Sequence, residues 1–119
     1  MNGLKNDKSI KAINDISQDI VSQSVINSFI DFLDVSTLTV KAYRIGISQL
    51  LRYLVRQGIK QPKRENIIDF KKYLLDCGRK PSTVALYMSA IRRFFSWCEA
   101  SGLYPNVTAG IKSPRQERS

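Results

Sequence analysis

The sequence of 119 residues predicts an all-α domain, a compact bundle of four main helices plus a short fifth. Three observations carry this. Apolar residues recur at helical spacing in four separate segments. Glycines at 58, 78 and 102 punctuate those segments where a helix would stop. No segment alternates apolar and polar residues with period two, so no sheet is expected. A chain of this length supports one domain with a modest core, or one domain and a tail.

Residues 1 to 22 are polar, with Ile10, Ile13, Ile16 and Ile20 set apart. That spacing fits a weak amphipathic helix. An isolated helix of such length is marginal in water, so the expectation is a flexible N-terminal leader. The domain proper is expected over 23–112, and 113–119, "SPRQERS", reads as a linker.

The first helix covers 23 to 34, with Val25, Ile26, Phe29, Ile30 and Leu33 on one face. Ser36 is a good N-cap for the second, whose core face is Val40, Tyr43, Ile47, Leu50 and Leu54. Gly58 is its natural C-cap. "IKQPKR" is a turn. A third helix runs from about 64 to 77 through Ile67, Ile68, Phe70, Tyr73, Leu74 and Cys77, and Gly78 ends it. Pro81 suits the first turn of the fourth, where its missing N–H costs nothing. That helix buries Val84, Tyr87 or Met88, Ile91, Phe94, Phe95 and Cys98 before Gly102. "YPNVTAGIK" allows a short fifth helix from about 106 to 111.

The second and fourth helices repeat one layout at an offset of 44. Thr39/Thr83, Val40/Val84, Tyr43/Tyr87, Ile47/Ile91 and Gly58/Gly102 are identical pairs.

Cys77 and Cys98 both fall on apolar faces and read as two buried thiols. With no histidine in the chain, they do not complete a zinc site, and no cofactor or metal is expected. The start of the chain lacks the apolar core of a signal peptide, and no apolar run is long enough to span a membrane. The expectation is a cytoplasmic protein, and "NVT" at 106–108 is read as a chance sequon.

Charge is the informative quantity. Nineteen basic and ten acidic residues give +9. Residues 1–34 hold three lysines against five aspartates, whereas residues 35–119 hold sixteen basic against five acidic. A basic globular half points to an anionic partner, with nucleic acid ahead of a membrane because the cations are spread over several elements. On the second helix, Lys41, Arg44, Ser48, Arg52 and Arg56 form one stripe away from the core face. A merely solvated face would carry mixed signs, yet this helix has no Asp or Glu. Around the fourth helix, Arg79 and Lys80 precede it, Ser82 and Thr83 open it, and Arg92 and Arg93 lie off its apolar face. Thr39 and Thr83 suit simple capping. They also suit phosphate contact, since a helix N-terminus offers free N–H groups and partial positive charge. Tyr43, Tyr87, Phe94, Phe95 and Trp97 fall mainly on core faces, which favours packing over base stacking.

The order "TVKAY", "YLV", then "FKKYLLDCGRKPSTVALYMSAIRRFFSWCEASGLYPN" resembles the N-terminal core-binding, SAM-like domain of tyrosine recombinases and phage integrases, over about residues 24 to 115. One departure is that Asn106 is followed by Val107 where the family usually has proline. The resemblance implies half of a C-shaped clamp on double-stranded DNA at the recombination core site, with two helices against the major groove. The matching positions are Thr39, Lys41 and Ala42, then Lys80, Ser82, Thr83, Leu86 and Tyr87. It implies that catalysis belongs to another domain, so no catalytic residue is expected here and the chain reads as a non-enzymatic fragment. Other protomers would be partners in the full-length recombinase, the isolated domain a monomer, and the setting a bacterial nucleoid or mobile element. A stand-alone small helical DNA-binding regulator is the alternative. It would need a short recognition helix after a tight turn, and the second and fourth helices are long and well separated. A SAM-type protein-interaction module would need an exposed apolar patch and no DNA affinity, and the basic half argues against it.

Overall fold

The computed structural model describes residues 23–112. Four helices follow one another: α1 (Gln23–Phe32), α2 (Thr37–Gln57), α3 (Arg64–Asp76) and α4 (Pro81–Ala100). No strand occurs among the described residues. The expected leader, 1 to 22, and the expected linker, 113–119, lie outside them.

Local chemistry sets the helix ends. Ser36 is extended and its hydroxyl accepts from the Thr39 backbone N–H at 3.2 Å, capping α2. Gly58 closes α2 in the left-handed region at φ 71°, where a side chain would be strained. The Asn66 side chain accepts from the Lys63 N–H at 2.7 Å and fixes the start of α3. Pro81 opens α4 at the position expected for it.

The core forms where the four apolar faces meet. Ile26 and Phe29 of α1, Ile47 and Leu50 of α2, Ile67 and Phe70 of α3, and Ile91, Phe94 and Phe95 of α4 are fully buried. Phe29 meets the edge of Phe94 at 5.4 Å between centroids, and Tyr53 packs on Phe70 at 5.3 Å. The most extensive helix pairing is α2 on α4. Within that pairing Gly46 stands tightly against Tyr87, with no room for a side chain between them.

Two expectations are corrected. The short fifth helix, 106 to 111, is a turn and not a helix. The Asn106 carboxamide oxygen accepts from both the N–H and the hydroxyl of Thr108, at 3.0 and 2.6 Å. This Asx turn competes with helical pairing, and Gly110 at φ 84° stops propagation. The turn still serves the core, since it buries Thr108 and Ile111. Cys98 is buried as expected, but Cys77 is exposed. It sits at the C-cap of α3, one step past the last turn that packs inward. No helix among the described residues is long and apolar enough to cross a membrane.

Candidate nucleic-acid interface

At about 100° per residue, Lys41, Ile45, Ser48 and Arg52 fall opposite the buried Tyr43, Ile47, Leu50 and Leu54. Lys41 and Arg52 are exposed, and Arg44, Ala42, Ser48 and Thr39 are half-buried. The Arg44 guanidinium donates to the Asn27 side-chain oxygen at 2.7 Å, which tethers the stripe to α1. Arg56 donates to the Tyr73 hydroxyl at 2.8 Å and lies 6.0 Å from that ring centroid, so the far end of the stripe leans on α3. Between these tethers Arg44, Ile45, Ser48, Gln49 and Arg52 line a shallow concavity of about 260 Å³. Two guanidiniums, a hydroxyl and a carboxamide around one hollow can each meet a phosphate oxygen or a base edge.

The second group lies at the start of α4. Lys80 is the N-cap, exposed, and makes no side-chain cap hydrogen bond. Ser82 and Leu86 are exposed and Thr83 is half-buried. Thr83 holds the same place in α4 that Thr39 holds in α2, the third helical residue. Thr39 is engaged there by the Ser36 hydroxyl at 3.0 Å. Tyr87 faces inward instead. It is only 7% exposed, it packs on Gly46, and its hydroxyl accepts from Arg79 at 3.4 Å while that guanidinium lies 5.9 Å from the ring centroid. Arg79 and Tyr87 therefore act on one another.

Arg92 and Arg93 are placed differently. They line a cleft of about 520 Å³ with Phe32, Leu33, Trp97 and Gly110, between the end of α1 and the 106–110 turn. Arg93 is exposed and Arg92 half-buried. The structure thus brings together Lys41, Arg44 and Arg52 on α2, and Lys80, Ser82, Thr83 and Leu86 on α4, but sets the arginine pair beside an aromatic cleft. Among the described residues no cluster of His, Cys, Asp and Glu could hold a metal ion.

Sequence reasoning missed two features. Gly46 allows the close α2–α4 contact, and a glycine inside a long helix, where it costs stability, was the available signal. The exposed Leu38, Ile45 and Val55 share the outward side of α2 with the cations. Their spacing, opposite the core face, was the available signal.

Residues 26–102 match the family described as the phage integrase N-terminal SAM-like domain. The chain belongs to this family. The match begins in α1 and ends at Gly102, so it takes in both groups above. Among curated relatives of this SAM-like domain, a tyrosine recombinase of Thermosipho africanus is 34% identical over 104 residues, 79% of this chain and 36% of that protein. A protein assigned to the tyrosine recombinases in Caldanaerobacter subterraneus subsp. tengcongensis is 25% identical over 105 residues, 82% of this chain and 36% of its own length. The chain therefore spans about a third of the length of these relatives. No solved structure gives a significant match.

Proposed function

We propose that this chain is the DNA-binding, non-catalytic domain of a site-specific tyrosine recombinase. It holds double-stranded DNA at the recombination core and takes no part in bond cleavage. The observation that carries the reading is the outward face of α2, where Lys41, Arg44 and Arg52 stand together on a helix without a single acid. Membership of the integrase SAM-like family supports it. Lys80, Ser82 and Thr83 at the start of α4 form the second contact, where backbone N–H groups and the helix dipole favour a phosphate. Arg93, beside the aromatic cleft but on the side of α4 that carries Ser82 and Leu86, extends that contact. Arg79 acts indirectly, by steadying Tyr87. Other protomers are partners in the full-length recombinase.

The test is duplex binding followed by fluorescence anisotropy across a salt series. With about five phosphates engaged, log K should fall against log salt with a slope of about −4 to −5. A response flat in salt would remove the basis for the reading.

A further inference from the structure

The outward face of α2 is not purely basic. Leu38 is 78% exposed and Ile45 44% exposed. In sequence order Leu38, Lys41, Ile45, Ser48 and Arg52 follow at intervals of three and four, so they share one side of the helix. Leu86, 41% exposed, sits between Ser82 and Arg93 on α4. A single exposed leucine needs no explanation. Apolar side chains interleaved with cations on an acid-free face call for a ligand that is anionic at its edges and apolar at points between them.

Three kinds of ligand can be compared on that requirement. A second copy of this chain would set Lys41 and Arg52 against their own kind. A lipid surface takes a helix with a broad continuous apolar side, but the broad apolar side of α2 is already buried in the core. Duplex DNA meets both demands. Phosphates flank the major groove, and its floor carries the C5 methyl group of each thymine, the one apolar patch on the base edges there.

We infer that Ile45, with Leu38 two turns before it, contacts thymine methyl groups, so that α2 reads thymine as well as holding phosphates. The inference rests on the DNA-binding reading above. Leu38 and Ile45 are about 10.5 Å apart along the helix, the span of about three stacked base pairs. Ile45 lies in the concavity flanked by Arg44 and Arg52. A methyl seated on Ile45 would therefore have cations on either side for the adjoining phosphates. Leu86 offers a similar contact from α4.

The experiment compares duplexes that differ only by the methyl group. Anisotropy is measured for the whole chain on alternating A–T and alternating A–U duplexes of equal length, then on alternating G–C duplexes with and without 5-methylcytosine. Burying one methyl should tighten binding about fourfold, so the methylated member of each pair should bind better by that factor or more. Ile45→Ala and Leu38→Ala should shrink the ratio toward one, with the salt slope unchanged because no charge is lost. Phe32→Ala removes an exposed apolar side chain on α1, 64% exposed, and should leave the ratio intact. Equal affinities of the wild-type chain for the paired duplexes would overturn the inference. So would a full methyl preference retained in both α2 variants. Salt-sensitive duplex binding with no methyl preference would refute this inference alone, whereas no duplex binding at all would remove the DNA-binding reading as well.

Discussion

Replacing Gly46 by alanine should destabilise the domain, although alanine is the better helix former. A Cβ at this position would lie 3.0 Å from Tyr87 Cδ1, 3.1 Å from Tyr87 Cα and 3.2 Å from Tyr87 Cβ. The two effects oppose each other. Gly→Ala inside a helix gains about 0.8–1 kcal/mol, whereas overpacking a tight contact costs about 1–3 kcal/mol. Which one wins depends on what can move. The Tyr87 ring has little room, being buried and held by Arg79. Its Cα has none of its own, because it is part of the α4 backbone. Relief then requires α2 and α4 to part by a few tenths of an ångström along their main contact. The net loss should be about 1 kcal/mol, or about 4–8 °C in Tm for a domain of this size. Gly46→Val should lose more. Thermal unfolding followed by circular dichroism, with urea titration to check that the m-value holds, measures the effect. A Gly46→Ala protein that melts at or above the wild-type temperature would refute the claim that backbone contact sets the α2–α4 spacing.

Four further outcomes are expected. Lys41→Ala and Arg52→Ala should each make the salt slope of DNA binding shallower by about one unit, and the exposed Lys72→Ala on α3 should leave it unchanged; Lys71 is a poor control because its ammonium donates to the Lys112 carbonyl at 3.0 Å. A thiol reagent at neutral pH should modify the exposed Cys77 in the native protein and reach Cys98 only on unfolding. Burial pushes the Cys98 thiol up to about 12, so the stability present below the ordinary thiol range should be lost as pH rises toward that value, and Cys98→Ala should flatten the decline by up to about 1.4 kcal/mol per pH unit. Tyr104→Phe should cost about 1 kcal/mol in urea unfolding, because the Tyr104 hydroxyl donates to the Pro62 carbonyl at 2.9 Å and pins the chain after α4 to the turn before α3.

Much of the bundle was legible in the sequence because its signals are local. Ser36, Gly58, Pro81 and Gly102 mark helix ends by backbone chemistry that needs no partner. The apolar spacing of α1 to α4 gave the buried faces for the same reason. The errors arose where distant or competing contacts decide. At 106–111 the sequence allowed a short helix, but its Asn, Val, Thr and Gly are weak helix formers, and Asn106 bonds Thr108 in a turn instead. Cys77 continued the apolar spacing of α3 but fell just past its end, where burial no longer follows the period. For the candidate interface, sequence spacing grouped Lys41, Arg44 and Arg52 on one side. It gave no sign that Arg92 and Arg93 open onto Phe32 and Trp97, because that depends on where α1 and the last turn pack.

The repeat at offset 44 separates two kinds of constraint. Its matched positions are mainly inward ones: Tyr43 and Tyr87 are both buried, Ile47 and Ile91 both fully so, and Gly58 and Gly102 take left-handed φ of 71° and 73°. Gly46 corresponds to Ala90, so both helices keep a small buried residue at that point. Apart from Thr39 and Thr83, the outward positions do not match. Lys41 corresponds to Ala85, Ile45 to Ser89, Ser48 to Arg92 and Arg52 to Ser96. Packing two long helices against a shared core accounts for what is repeated, and it accounts for none of the differences. The cations and exposed apolar side chains of α2 therefore need a reason outside the bundle. A ligand lying against α2 supplies one, and it would let α2 and α4 diverge wherever they touch different parts of it.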